Sequence, residues 1–340
     1  MTAASVLRTA YLPHAIDQST YARARRWFEI LVRSRSPRLT YLSALLHASD
    51  PVLSALRTGT RMNLVDSEVQ VEYRFQRFTL EPHVLPAIDL FTEMIESGYG
   101  LHLDGEDWRI DVPHGPSFLV DRATLVSDLA VIGLRFLKRE YGFFDVRDHV
   151  VLDIGANIGD SALYFALHGA RHVVGYEPFA ATFARAQANV AVNDLCNRIE
   201  LFHCGIAGRT DWRTVGYDGR IAAGLSTAHA DNSLKSAAYV DSISLIPFSE
   251  AVESTLSKAA GPLACKMDCE GSEFEIFDED PGILDALKRI DRMLIEYHWK
   301  NPQPILERLQ DAGFDVDMLP LQPGVGLILG LRPTNATPND

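Results

Sequence analysis

The chain has 340 residues, room for one large domain or two ordinary ones, with a core that needs no disulfide or metal staple. Hydrophobic residues make up 47% and charged residues 23%, globular proportions that exclude disorder as the main state. Lys and Arg number 32 against 45 Asp and Glu, and the net charge of −13 makes a poor general nucleic-acid binder, which needs clustered cations to neutralise phosphates. The four cysteines, Cys196, Cys204, Cys265 and Cys269, form no C-x-x-C pair, so neither a disulfide framework nor a zinc site is expected. The N-terminal Met-Thr-Ala-Ala-Ser carries no basic segment followed by an apolar run, and no apolar stretch nears 18 residues. The expectation is a cytoplasmic protein without a membrane span.

The first 120 residues read as mainly helical. Residues 17–34 set Tyr21, Trp27, Phe28 and Leu31 among arginines, a basic amphipathic helix whose charge reads best as a solvated face. Further helices are predicted over 39–57, broken at Pro51, and over 82–97. Trp108–Val112, the turn Pro113–Pro116 and Ser117–Val120 read as strand, turn and strand, and a helix follows over 122–139.

After Tyr141-Gly142 strands and helices alternate. Strands are predicted at 149–154, 172–176, 199–203, 263–268, 293–298, 314–319 and 326–331, with helices over 159–168 and 179–192. Alternation implies parallel pairing, because parallel neighbours need long crossovers. Only Pro320–Val325 separates the last two strands, which predicts an antiparallel hairpin. The expected fold is therefore α/β: a Rossmann-like seven-stranded sheet of the class I methyltransferase pattern, ending in a hairpin and preceded by a mainly helical region. The crossover over 204–262 is too long for one helix and a turn, and insertions of that length cap sites or bind substrate.

The most informative segment is Val150-Val-Leu-Asp-Ile-Gly-Ala-Asn-Ile-Gly-Asp160, a strand, a glycine turn and a helix start. Gly155 and Gly159, lacking Cβ, are read as letting a ligand approach the backbone around Ala156, and Asn157 as holding a left-handed position where such loops often have Gly. A nicotinamide dinucleotide would want G-x-G-x-x-G, but Asn157 and Asp160 occupy the second and third glycine places, and Asp160 would repel a pyrophosphate. S-adenosylmethionine has no phosphate and two cationic groups, which acids suit. Asp153 is placed to reach its amino group. Glu177, 22 positions after Gly155 and followed by Pro178, ends the second strand where a carboxylate accepts both ribose hydroxyls. The cofactor set is therefore Asp153, Gly155, Ala156, Asn157, Gly159, Asp160, Glu177, Pro178 and Asp268.

Together with Tyr-Glu-Pro178, Lys266-Met-Asp-Cys-Glu-Gly-Ser-Glu273 and Ile295-Glu-Tyr-His298, this loop resembles the FkbM-type methyltransferases, in that family's motif order and over roughly 140–300. The resemblance implies a class I fold, S-adenosylmethionine as donor and a hydroxyl acceptor on a saccharide or small-molecule natural product.

Asp268 with Glu270, and Glu296 with His298, end two strands that open onto the crevice of the glycine loop. Methyl transfer from a sulfonium needs mainly in-line positioning, while an alcohol acceptor gains from a general base. Catalysis is assigned to His298 as a neutral imidazole base, with Asp268 as runner-up and Glu270 beside it; Glu270 and Glu273 could instead organise the loop. No known spacing supports a divalent ion on Asp268, Glu270 and Glu273, and no metal is expected. The domain expectation is a cap, substrate or dimer region over 1–120, a methyltransferase domain over 121–335 and a tail over 336–340. Two rivals stand: methylation of nitrogen or nucleic acid, and a non-catalytic nucleoside-binding scaffold. Against the first, Asp268-Cys-Glu-Gly stands where amino-methylating enzymes carry Asp/Asn-Pro-Pro-Tyr/Phe.

Overall fold

The computed structural model describes residues 29–30, 33–36, 39, 43, 48–66, 68–74, 76–217 and 239–333. Most of the basic helix expected over 17–34, and the tail over 336–340, lie outside them. The described residues fall into two compact units, 29–138 and 139–333.

In the first unit, α1 (Ser49–Arg57) buries Val52, Leu53, Ala55 and Leu56. Where the sequence predicts mainly helix, an antiparallel meander of β1 (Arg61–Val65), β2 (Glu68–Tyr73) and β3 (Gln76–Leu80) follows instead. The cause is a period of two: Val69, Val71 and Tyr73 are buried and alternate with Glu68, Gln70 and Glu72. A 3-10 turn (Pro82–Ala87) leads into α2 (Ile88–Glu96), the helix expected over 82–97. A second meander adds β4 (Gly100–Asp104) to the expected β5 (Asp107–Asp111) and β6 (Ser117–Val120). Phe91 of α2 meets Phe78 and Trp108 edge-on, at centroid distances of 5.1 and 5.9 Å, and joins the two meanders. The closing α3 (Leu125–Ile132) runs into a π-helical turn, where Gly133 lies so close to Leu90 that a Cβ would approach it to 3.0 Å. That packing puts the helix with the first unit, and the division falls after Lys138 rather than at 120/121.

The second unit is built on a seven-stranded sheet. Its strands are β7 (Val150–Ile154), β8 (His172–Tyr176), β9 (Ile199–Phe202), then, after an insertion, β13 (Leu263–Met267), β14 (Arg292–His298), β15 (Asp315–Gln322) and β16 (Val325–Leu331). The order is β15-β16-β14-β13-β7-β8-β9, with β16 antiparallel between β15 and β14 and the other pairs parallel. All seven strands and the terminal hairpin stand where the alternation of the sequence puts them. Every residue of β7 and β13 is buried, as a central parallel strand covered on both faces requires.

Helices α4 (Asp160–Leu167) and α5 (Ala180–Val192) follow β7 and β8; α7 (Glu273–Glu279), α8 (Ile283–Leu287) and α9 (Gln303–Asp311) lie between β13 and β15. The insertion contains β10 (Gly205–Ala207), β11 (Asp211–Tyr217) and β12 (Tyr239–Pro247), a small sheet with β12 central, and α6 (Phe248–Lys258), the crossover helix back to β13. Phe179, Ala207, Val215, Ile243 and Leu245 form its core, which settles Phe179 as a packing residue. Arg213 of β11 ties the insertion to α7 through Glu275, with one N–H donating at 2.8 Å. Tyr141 stacks on Phe165 at 5.3 Å and is 2% exposed, so it packs in the core.

Candidate active site

Ile154 of β7 pairs with Tyr176 of β8 on one side and Met267 of β13 on the other. The strand order reverses between β7 and β13, and in an open α/β sheet the crevice beyond that reversal is where ligands bind.

The loop after β7 is a cage of backbone hydrogen bonds. The N–H groups of Gly155 and Ala156 both donate to the carbonyl of Tyr176 at 3.0 Å, and Asn189 Nδ2 donates to the carbonyl of Ile158 at 2.9 Å. Asn157 has φ 48°, the left-handed conformation expected of it. The two glycines serve the protein itself. At Gly155 (φ 75°) a Cβ would overlap the carbonyl oxygen of Asp268, so its missing side chain admits the loop after β13, not a ligand. Gly159 (φ 84°) starts α4, and a Cβ there would touch Ala186 of α5 at 3.5 Å.

Glu177, 5% exposed, ends β8 as expected. Its Oε2 accepts the N–H of Asn157 at 2.9 Å and its Oε1 that of Phe179 at 3.0 Å, so it braces the glycine loop while each oxygen keeps a second lone pair. Burial, opposed by those two N–H groups, pushes its carboxyl up to about 7. Pro178 is half-buried beside it.

Asp153 does not reach out to a ligand amine. It is fully buried, accepts from Ser161 Oγ at 2.6 Å and faces Lys266 Nζ at 3.4 Å. Lys266, itself 2% exposed, donates to the carbonyl of Gly155 at 2.8 Å and lies 3.8 Å from Asp268. Ser161 is a partner the sequence reading missed. Lys266 had a signal, a lone charge in the apolar strand Leu263–Met267. Asp160 is buried in the first turn of α4, where a carboxylate complements the helix dipole.

The acids after β13 and β14 do converge. His298, 5% exposed, has Nδ1 3.4 Å from Glu273 Oε1 and Nε2 at 3.5 Å from Glu270 and 3.7 Å from Glu296. Glu273 is fully buried and accepts the N–H groups of Cys269 at 2.9 Å and Gly271 at 2.8 Å, organising this loop as one reading of the sequence had it. Glu270 has φ 53°, and burial, with the charge of Asp268 beside it, pushes its carboxyl up to about 7. For His298 burial acts downward, but the bond to Glu273 and the charges of Glu273, Glu270 and Asp268 outweigh it and hold the imidazolium up to about 9. The carboxylates around it thus favour the imidazolium over the neutral imidazole base that the sequence reading expects.

Residues 153–316, from the end of β7 to the start of β15, match the family model described as the methyltransferase FkbM domain. Just under half of the chain is thus similar to an FkbM methyltransferase domain. The chain is accordingly a methyltransferase that takes its methyl group from S-adenosylmethionine. No curated protein matches the chain. Solved structures similar to it include an rRNA methylase from Streptococcus thermophilus (10% identity, 58% of this chain and 95% of that one, TM-score 0.35). Magnesium protoporphyrin IX methyltransferase from Synechocystis is another (14% identity, 62% and 79%, TM-score 0.33), as is a ribosomal protein L11 methylase from Lactobacillus delbrueckii (14% identity, 63% and 81%, TM-score 0.29). The crevice suits a cationic, phosphate-free cofactor: Glu177, Asp268 and Glu270 offer oxygen, and the one lysine among these groups is turned inward to Asp153 and the Gly155 carbonyl. Among the described residues no helix is long and apolar enough to cross a membrane.

Proposed function

We propose that this methyltransferase methylates a hydroxyl group of a saccharide or a small-molecule natural product. The reading is carried by the meeting of the glycine loop with the acid–imidazole loop at Gly155 and Asp268, which supports donor and acceptor handling in one crevice. S-adenosylmethionine, when bound, supplies a methyl group on a sulfonium that is already a good leaving group.

The chain's own residues divide the remaining work. Asn157 and the loop Gly155–Gly159 hold the nucleoside, with Pro178 alongside and Glu177 receiving the ribose hydroxyls on its second lone pairs. Asp153 and Asp160 act from within the protein, fixing the loop and the start of α4. Asp268 and Glu270 orient the acceptor hydroxyl, and Glu270, a quarter exposed at its side chain, takes the hydroxyl proton. His298 positions Glu270 and is a positioning residue, not the base. The β10–β12 insertion, in a crossover long enough to cap a site, shapes the acceptor's surroundings. The net charge of −13 weighs against a nucleic-acid acceptor.

Methyl-labelled S-adenosylmethionine and a panel of hydroxylated and amino acceptors test this reading. The expected product is a methyl ether, formed about 10²–10⁴-fold more slowly by Glu270→Gln, in keeping with the loss of a general base. Transfer to nitrogen would overturn the hydroxyl assignment. An unchanged rate in Glu270→Gln would remove the base.

A further inference from the structure

The acid–imidazole cluster has the makings of a cation site. The ligand atoms of Asp268, Glu270 and His298 lie within 4.8 Å of one another, two carboxylate oxygens and one ring nitrogen. A second observation comes from the other side of the imidazole. Glu273, fully buried and fixed by two backbone N–H groups, faces His298 Nδ1 at 3.4 Å. A buried carboxylate on one ring nitrogen is the arrangement that orients a ligating histidine and directs its other nitrogen at a metal. Here that other nitrogen, Nε2, stands at 3.5 Å from Glu270 and 3.7 Å from Glu296, beyond good hydrogen-bond length, and His298 is 5% exposed.

We infer that Asp268, Glu270 and His298 bind one divalent first-row cation, which takes the place of the proton on His298 Nε2, with Glu273 orienting the imidazole; Glu270 is then a ligand and serves as base only in the ion-free site. A mixed set of oxygen and imidazole nitrogen suits Mn2+, Co2+ or Zn2+ better than Mg2+ or Ca2+, which take oxygen alone. Three protein ligands leave positions open, and in the methyltransferase reading an open position accepts the oxygen of the acceptor hydroxyl and makes it more acidic. The location of the site beside the donor crevice rests on that reading; the binding of the ion does not.

The test is a titration of the full chain, stripped with a chelator, with Mn2+, free ion being followed by electron paramagnetic resonance. Co2+ serves as a second probe, because its visible bands report a nitrogen ligand. One Mn2+ per chain is expected. Asp268→Asn and Glu270→Gln, both at partly exposed side chains, should weaken it at least about tenfold, and Glu273→Gln about 10–100-fold. His298→Gln should remove the nitrogen signature of Co2+. Thermal melts of each variant separate loss of the site from loss of the fold. No ion retained by the folded chain at millimolar Mn2+, or equal binding by Glu270→Gln and His298→Gln, would overturn the site. S-adenosylhomocysteine titrated into the same samples keeps the two readings apart: adenosyl binding without Mn2+ binding rejects the metal site and leaves the methyltransferase.

Discussion

Gly155 has no room for a side chain. A methyl group there would overlap the Asp268 carbonyl, and φ 75° is unfavourable for any L-residue with a Cβ. Gly155→Ala should cost about 3 kcal/mol or more, from backbone strain and overpacking together, and a denaturant titration would show it. Glu177 carries a different prediction. Its folded pKa of about 7 lies above the ordinary carboxylate value, so native protein binds a proton that unfolded protein has lost. Its contribution to stability is therefore favourable at low pH and lost as pH rises through about 7. Cofactor affinity should move the opposite way, because the ionised carboxylate is the stronger acceptor of ribose hydroxyls. Calorimetry should find S-adenosylhomocysteine bound about 3–10-fold more tightly at about pH 8 than at about pH 6, with the dependence gone in Glu177→Gln. Glu177 and Asn157 were legible in the sequence because spacing and φ preference are local properties. The inward turn of Asp153 was not, because its partners Ser161 and Lys266 come from another helix and another strand.

At the scale of elements, β13 with its following loop is the most constrained piece of the site. Lys266 sits in a strand buried on every residue and answers Asp153 and the carbonyls of Ile154, at the end of β7, and Gly155, in the loop after it. Removing one partner of a buried pair leaves an uncompensated charge, so Lys266→Met should lower stability by about 3–5 kcal/mol. Pairing it with Asp153→Asn should restore part of the loss, and melting temperatures of the two single variants and the double variant would show the coupling. The strands of the large sheet were readable because their apolar runs are bounded by glycine turns and helical spacing. The meander β1–β3 was not, since its alternating run is short and lies between two helical patterns that invite a longer helix.

Over the whole molecule, every residue assigned to the cofactor crevice or the acid–imidazole cluster belongs to the second unit. Expressed alone, residues 139–340 should bind S-adenosylhomocysteine with an affinity within about threefold of the full chain, a difference under about 0.7 kcal/mol. Calorimetry on both would check it, and a larger loss would mean that the first 138 residues take part in cofactor binding. The acceptor was illegible at this scale for a physical reason. Composition and periodicity report burial, whereas acceptor choice depends on a few surface contacts that follow no repeating pattern.

At the seam the Gly155 backbone lies against the Asp268 carbonyl, so the two loops meet through their main chains. An occupant of one loop that moves this seam changes the free energy of occupying the other, and thermodynamic linkage makes that change mutual. An acceptor or cation at Asp268 that tightens the hold on the methyl donor must itself be held more tightly, by the same factor, once the donor is in place. If demethylated cofactor shifts the loop less than the donor does, the same reciprocity loosens the methylated acceptor after transfer.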